Sequence, residues 1–164
     1  PQLGSKREKV ERKSVSIFIA LDISRSMNAE DIAPSRLERA KQFAMTAVRQ
    51  LSTERIGLII FAGNAYLQTP LTDDYAAVNT FLKSANTNMV SNQGTALASA
   101  IELVQESFEI ENKASKAIFI ISDGETHDEA ATQQAKAAYA DGILTFTIGV
   151  GTPNGAPVPT SFRG

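Results

Sequence analysis

Four apolar, β-branched runs constrain the fold of this chain more than any other feature of its sequence. VSIFIAL (15–21), IGLIIF (56–61) and AIFIIS (117–122) are almost continuously apolar, whereas ILTFTIGV (143–150) alternates more. Strands that are apolar on both sides are typical of parallel sheets whose two faces are both covered. The runs therefore predict a buried sheet with helices on both faces.

Helical patterns separate these runs, at about 36–52, 73–84, 96–109 and 128–141. Ser35 and Glu38 form a capping box that marks the start of the first helix. The segment AYLQTPL (65–71) follows a Gly-Asn turn signal, and Pro70 favours an antiparallel edge position for it. The predicted fold class is α/β, a doubly wound (Rossmann-like) and mostly parallel sheet with one antiparallel edge strand.

Composition and charge exclude several classes of function. With 164 residues, 43% of them hydrophobic, the chain is expected to form one folded domain over 15–164. Residues 1–14 carry a net charge of +3 and are expected to form a solvated basic arm. A total charge of −2 implies no nucleic-acid partner, and the absence of cysteine excludes thiolate sites and disulfides. No apolar run approaches the roughly 20 residues that span a bilayer, so membrane attachment is expected only through segments outside this chain.

Oxygen-bearing side chains collect where the predicted strands end. Asp22, Ser24 and Ser26 follow the first run at a spacing of two, which directs them to one side of an extended segment. Asp123 follows the run at 117–122, and Thr95 precedes the helix that leads back into that run. In a sheet of order 3-2-1-4-5, ligands bind beyond the carboxyl ends of the two strands at the switch point. These five side chains are therefore predicted to converge.

The chemistry of this set indicates a metal ion. No basic residue is placed in the sequence to neutralise Asp22, and two nearby carboxylates repel each other unless a cation lies between them. Oxygen-only ligands suit Mg²⁺ first, Mn²⁺ next and Ca²⁺ less well. Because three of the five groups are neutral hydroxyls, the ion would stay electrophilic and accept a Glu or Asp carboxylate from a partner protein. The sequence predicts no catalytic residue and no organic cofactor.

Several motifs resemble a known family. DISRSM (22–27), GT (94–95) and SDGE (122–125) resemble the metal-ion-dependent adhesion site of von Willebrand factor type A domains. SMNAEDIAPSRLERAK, RIGLIIFAGNAYLQTPLTDDY and GVGTPNGAPVP resemble the aerotolerance-type (Bat) branch of that family. The resemblance implies direct metal contacts from Ser24, Ser26 and Thr95, with Asp22 and Asp123 acting largely through water.

The same resemblance implies a biological setting. It suggests a bacterial inner-membrane protein whose domain faces the periplasm, anchored by helices outside this chain. The expected role is stress tolerance or assembly of an envelope complex, together with other envelope proteins and a MoxR-type AAA+ ATPase. Family members continue with a further strand and helix after GVGTPNGAPVP, so the domain is expected to lack these two elements.

Other interpretations of the same residues stay open. A Mg²⁺-dependent phosphatase or phosphotransferase would use Asp22 as its nucleophile, and a structural domain with a vestigial site would bind no metal. Tyr75, Asn28, Glu30 and Asp31 are expected to border the crevice or to serve only packing and capping. His127 is expected to be exposed at a helix start, where Glu125, Asp128 and Glu129 would offset the helix dipole.

Overall fold

The computed structural model describes residues 15–108, 114–123 and 129–151, together with the backbone of 158–162. The strands within these ranges are β1 (Val15–Asp22), β2 (Arg55–Phe61), β3 (Ala65–Thr72), β4 (Ser115–Ser122), β5 (Ile143–Gly149) and β6 (Val158–Phe162). The α-helices are α1 (Arg36–Arg49), α2 (Tyr75–Ser84), α3 (Leu97–Ser107) and α4 (Glu129–Ala140). Short 3₁₀ turns occupy Arg25–Asn28 and Thr87–Met89.

The strands form one sheet of order β3-β2-β1-β4-β5-β6, which confirms the predicted 3-2-1-4-5 order. β1 pairs in parallel with both β2 and β4, and β4 pairs in parallel with β5. β3 pairs antiparallel with β2 at one edge, as predicted, and the exposed Pro70 interrupts no inner strand. The chain thus leaves β1 towards β2 on one side and returns through β4 on the other, which makes β1 and β4 the switch point.

The edge of the sheet beyond β5 carries a second antiparallel strand in addition to the predicted one. Val158–Phe162 pairs antiparallel with β5, with Pro159 opposite Ile148. This segment is short and contains a proline, so its sequence lacks the long apolar pattern that identified the other strands. Both edges of the sheet are therefore antiparallel.

Alternation along β1 divides the core into two layers. Ile19 and Leu21 pack with α1 and α2 on one face, whereas Phe18 and Ala20 pack with α3 and α4 on the other. This arrangement confirms the helices on both faces. Ser35 caps α1 by accepting a hydrogen bond from the Glu38 backbone N–H at 3.1 Å, as the capping box predicted. None of the described helices combines the length and the apolar character that crossing a bilayer requires.

Candidate metal centre

The two predicted acids lie at the carboxyl ends of neighbouring strands. Asp22 is the last residue of β1, and Asp123 directly follows β4. Because Leu21 lies opposite Ile121 in the β1–β4 register, both carboxylates reach the same edge of the sheet. Asp22 is fully buried, and Asp123 is 6% exposed. The parallel pairing alone therefore brings two buried acids to the switch point.

Asp22 is held by hydrogen bonds to both of its carboxylate oxygens. The backbone N–H of Ser24 donates to Oδ1 at 2.8 Å, and the hydroxyl of Ser122 donates to Oδ2 at 2.7 Å. Burial raises the pKa of Asp22, the hydrogen bonds from Ser24 and Ser122 oppose this shift, and the charge of Asp123 adds to it. Among the residues that the structure describes, no basic side chain forms an ion pair with Asp22. A cation beside Asp22 would therefore stabilise the ionised form of this buried carboxylate.

Ser24, Ser26 and Asp123 extend this arrangement into a chain of contacts. The hydroxyls of Ser24 and Ser26 lie 3.1 Å apart, and the Ser26 hydroxyl donates to Oδ2 of Asp123 at 2.6 Å. The extended backbone that the sequence suggested continues only to Ser24, because Ser26 lies in the 3₁₀ turn that follows. That turn still directs the Ser26 hydroxyl back to the acids. Four of the five predicted side chains are therefore linked.

Thr95 lies in a loop that is tied to the end of β2. The Gly63 N–H donates to the Asn92 carbonyl at 2.9 Å, and the Ala96 N–H donates to the Ala62 carbonyl at 2.6 Å. From the same loop, the Gln93 side chain accepts a hydrogen bond from the Arg25 N–H at 3.2 Å, which joins it to the Ser24–Ser26 turn. Among the described residues, no hydrogen bond links the half-buried Thr95 to the other four. The structure thus brings the loop to the site, but it shows no hydrogen bond from Thr95 to the other four within the described residues.

Two glycines allow this loop to adopt its position. A Cβ on Gly63 would lie 2.7 Å from the Asn92 carbonyl oxygen, so any side chain there would push the loop away. Gly94, next to Thr95, has a φ of 128°, which L residues rarely adopt. The sequence suggested only a turn at Gly63. The close backbone approach depends on contacts between segments that are distant along the chain.

Arg36 brings a basic side chain to the second acid, Asp123, a contact that the sequence did not predict. Its Nη1 lies 3.2 Å from Oδ2 of Asp123, while Nε and Nη2 donate to the two carboxylate oxygens of Asp31 at 2.9 and 3.1 Å. Arg36 is the first residue of α1, and its long side chain reaches the end of β4 across the gap between the two elements. The sequence offered no local signal for this contact, because the two residues are 87 positions apart.

The residues expected to border the crevice divide into two groups. Asp31 borders it through Arg36, whose hydrogen bonds hold the pKa of Asp31 below its usual range. Asn28 donates to the Thr87 hydroxyl at 2.9 Å, and Glu30 is exposed beside them. Tyr75 does not border the crevice: it opens α2 at the opposite edge of the sheet, where its hydroxyl donates to the Glu54 carbonyl. Glu125, His127 and Asp128 lie outside the described residues.

The donor set fits a hard divalent cation. It consists of two carboxylates and three hydroxyls, which are oxygen ligands of the kind that Mg²⁺ and Mn²⁺ accept. Within the described part of the chain, no group of three or more His, Cys, Asp or Glu side chains could hold a metal. A site here would accordingly depend on hydroxyl groups beside the two acids, and the Asp22–Ser24–Ser26–Asp123 chain of contacts provides them.

Solved structures resemble this chain closely. It is 38% identical to the conserved hypothetical protein BatB from Bacteroides thetaiotaomicron, with a TM-score of 0.81 over 92% of this chain and 82% of that one. It is 35% identical to an aerotolerance-related membrane protein from Bacteroides fragilis, with a TM-score of 0.80 over 92% and 83% of the two chains. Proximal thread matrix protein 1 from the mussel byssus, solved with zinc in its metal-ion-dependent adhesion site motif, shares the fold at 21% identity and a TM-score of 0.71 over 85% of this chain and 36% of that one.

Curated relatives extend beyond the matched region. A UPF0353 protein of Nocardia farcinica is 30% identical over 168 residues, which cover 91% of this chain and 49% of that protein. The chain thus spans about half the length of the curated relatives that it matches. The sequence profile of the von Willebrand factor type A domain matches residues 17–125, from β1 to just beyond Asp123. Because that match covers most of the chain and both predicted acids, this chain belongs to the von Willebrand factor type A domain family.

Proposed function

We propose that this chain is a metal-dependent protein-interaction module. Asp22, Ser24, Ser26, Thr95 and Asp123 would hold Mg²⁺ or Mn²⁺ at the switch point of the sheet. When bound, the ion supplies a positive charge that a Glu or Asp carboxylate of a partner protein can ligate. The observation that carries the proposal is the continuous chain of contacts Ser122–Asp22–Ser24–Ser26–Asp123, which collects oxygen donors around two buried acids.

The residues of the proposed site have different roles. The hydrogen bonds from Ser24 and Ser122 orient the Asp22 carboxylate and offset part of the free-energy cost of burying it. The neutral hydroxyls of the set add ligand atoms without adding negative charge, so an ion held here keeps affinity for an external carboxylate. Ser26 is exposed, whereas Ser24 is buried, so the site opens to solvent on the Ser26 side. A partner would therefore approach over Ser26.

Burial also separates this proposal from the enzymatic alternative. A phosphoryl-transfer nucleophile must meet its substrate, but Asp22 is fully buried and both of its oxygens accept hydrogen bonds. Domains of this family are typically non-enzymatic interaction modules. These observations favour a ligand role for Asp22 over a nucleophilic one.

The names of the relatives suggest the setting. BatB and the Bacteroides fragilis protein, which is named as an aerotolerance-related membrane protein, are each similar to this chain over 92% of its length. We infer that this domain serves a bacterial envelope system of the same kind, facing the periplasm and anchored through segments outside this chain. Other envelope proteins and a MoxR-type AAA+ ATPase system are the candidate partners. Residues 1–14, predicted to be a basic arm, lie outside the described residues.

Calorimetric titration of the metal-stripped domain with Mn²⁺ and Mg²⁺ tests the metal site. We expect saturable binding of one ion, lost in Asp22→Asn, which removes the charge but leaves an amide oxygen to accept from the Ser24 N–H and an amide NH₂ to donate to the Ser122 hydroxyl. Asp73→Asn is the matched control, because it removes an exposed acid at the opposite edge of the sheet. Equal binding by the domain and by Asp22→Asn, or no binding by the intact domain, would refute the metal site.

The interaction role needs its own measurement. The immobilised domain is exposed to envelope extract in Mg²⁺ or in EDTA, beside immobilised Asp22→Asn. We expect a protein that is retained only by the unsubstituted domain and only in Mg²⁺. Retention that is indifferent to EDTA would contradict a metal-bridged contact.

A further inference from the structure

The guanidinium of Arg36 is shared between two carboxylates of different character. Asp31 takes two hydrogen bonds from it at 2.9 and 3.1 Å, and its side chain is 39% exposed. Asp123 takes one from Nη1 at 3.2 Å, and its side chain is 3% exposed. The shorter, two-point contact is thus on the solvent side, and the longer, single contact reaches a candidate metal ligand.

The neighbouring backbone holds the Arg36 side chain in this position. Gly151 follows β5 with a φ of 75°, and a Cβ at that residue would lie 2.3 Å from Nε of Arg36. The adjacent Val150 N–H donates to the Ser122 carbonyl at 2.7 Å, which ties the same segment to the end of β4. The guanidinium therefore lies between the Asp31 loop and the end of β5, where it reaches both Asp31 and Asp123.

The positive charge of Arg36 affects the binding of a divalent ion at Asp123. Oδ2 of Asp123 accepts both the Ser26 hydroxyl and Nη1 of Arg36, so a positive charge already lies against the acid. A divalent cation at the same acid meets repulsion from that charge, and the low exposure of Asp123 weakens solvent screening. The solvent-exposed carboxylate of Asp31 is a second acid with which the guanidinium pairs.

We propose that Arg36 is a built-in competitor of the metal ion. It acts as a positioning residue that occupies Asp123 and lowers the affinity of the site for divalent cations, while Asp31 draws the guanidinium away and raises that affinity. The inference rests on the proposed function, because it concerns the same site. It adds a residue that the five predicted ligands do not include, and it assigns opposite effects to two residues that touch each other.

Titration of Mn²⁺ into four metal-stripped proteins tests the idea. Arg36→Gln should bind Mn²⁺ about tenfold more tightly than the unsubstituted domain, which corresponds to ~1.4 kcal/mol. Arg36→Lys keeps the charge and should restore an affinity close to the original. Asp31→Asn should bind Mn²⁺ about threefold to tenfold more weakly, because it removes the charge that draws the Arg36 guanidinium away from Asp123. Circular dichroism checks that each variant is folded.

The double variant Asp31→Asn/Arg36→Gln distinguishes competition by Arg36 from a direct effect of the Asp31 charge on the ion. If Asp31 acts through Arg36, Asp31→Asn should have no effect on Mn²⁺ affinity in the Arg36→Gln background. A full Asp31→Asn effect in that background would mean that Asp31 acts directly on the ion, and would overturn the proposal. Weaker or unchanged binding by Arg36→Gln would overturn it as well, since a merely structural Arg36 would disorder Asp123 when removed. If Arg36→Gln does not fold, unchanged Mn²⁺ affinity in Asp31→Asn, a substitution at an exposed position, would still overturn the proposal.

The outcomes also distinguish this inference from the proposed function. Mn²⁺ binding by the unsubstituted domain without tighter binding by Arg36→Gln would reject the competitor and leave the metal site standing. Binding by Arg36→Gln alone would support the competitor strongly. Absence of binding in every variant would reject both.

Discussion

The hydroxyl of Ser26 donates to Oδ2 of Asp123 across 2.6 Å and thereby joins two residues that are 97 positions apart. One partner lies in the turn after β1, and the other lies directly after β4. The contact therefore connects the segments that follow β1 and β4 at the switch point of the sheet. Its geometry explains why substitutions at this edge are expected to affect metal binding and stability together.

Asp22→Asn should change how the stability of the metal-free domain depends on pH. Burial raises the pKa of Asp22 above the ordinary value of 3.8, so the unfolded chain loses its proton first as pH rises. The free energy of unfolding of the unsubstituted domain should therefore fall as pH increases from 3.8 through the raised pKa, and the variant should lack this contribution. Each unit of pKa shift corresponds to about 1.4 kcal/mol.

Urea unfolding in EDTA at a series of pH values measures this difference. Below pH 3.8 the domain and its variant should have similar stabilities, and above the raised pKa the variant should be the more stable. Asp73→Asn, which removes an exposed acid, should show no such trend. A variant that is equally destabilised at every pH would mean that packing, and not the buried charge, dominates at Asp22. Added Mn²⁺ should stabilise the unsubstituted domain only.

Ser122→Ala should destabilise the domain most at neutral pH. The substitution leaves Oδ2 of the buried Asp22 without the hydrogen bond at 2.7 Å, which we expect to cost about 1–3 kcal/mol. Ser52→Ala, on an exposed loop at the opposite edge, should stay within about 0.5 kcal/mol. Chemical denaturation at pH 7 and pH 3 checks both. Equal losses at the two pH values would argue against a role in holding the ionised carboxylate.

Gly63→Ala should weaken metal binding by displacing the loop that carries Thr95. Its Cβ would lie 2.7 Å from the Asn92 carbonyl oxygen, so the loop must move. This displacement should lower the free energy of unfolding by about 1–3 kcal/mol. Gly142→Ala is the control: its φ of 82° makes it strained, but it has open space around it after α4. Mn²⁺ titration should show a lower affinity only for Gly63→Ala. Similar affinities for the two variants would separate Thr95 from the site.

Lys41→Met should destabilise the contact between α1 and α2. The buried Nζ donates to the carbonyls of Lys83 and Ala85 at 2.7 and 2.9 Å, and to Oε2 of Glu38 at 3.2 Å. Loss of these bonds at the end of α2 should cost about 1–3 kcal/mol. Lys83→Met removes an exposed lysine from the same helix end and should cost less than about 0.5 kcal/mol. Thermal unfolding distinguishes them, and equal melting temperatures would rule out a stabilising role for Lys41.

Local sequence determined the elements of this fold because their signals lie within each segment. The apolar run of β1, the proline of β3 and the Ser35 cap of α1 each act over a few residues, and each was predicted correctly. The convergence of Asp22, Ser24, Ser26 and Asp123 could be predicted for a related reason: residues that follow parallel strands must reach the same end of the sheet. The β6 pairing escaped prediction, because a short proline-containing segment becomes a strand only when a partner edge is available.

Only the tertiary structure decided which charges meet at that edge. Alternation predicted that Ser26 lies beside the acids, but it is the 3₁₀ turn after Ser24 that brings its hydroxyl to Asp123. Arg36 lies far from Asp123 in sequence, and their contact depends on how α1 crosses the end of the sheet and on the extension of a long, flexible side chain. Short-range patterns encode strands, caps and turns, whereas the pairing of an arginine with one of several acids depends on distances that exist only after the helices pack.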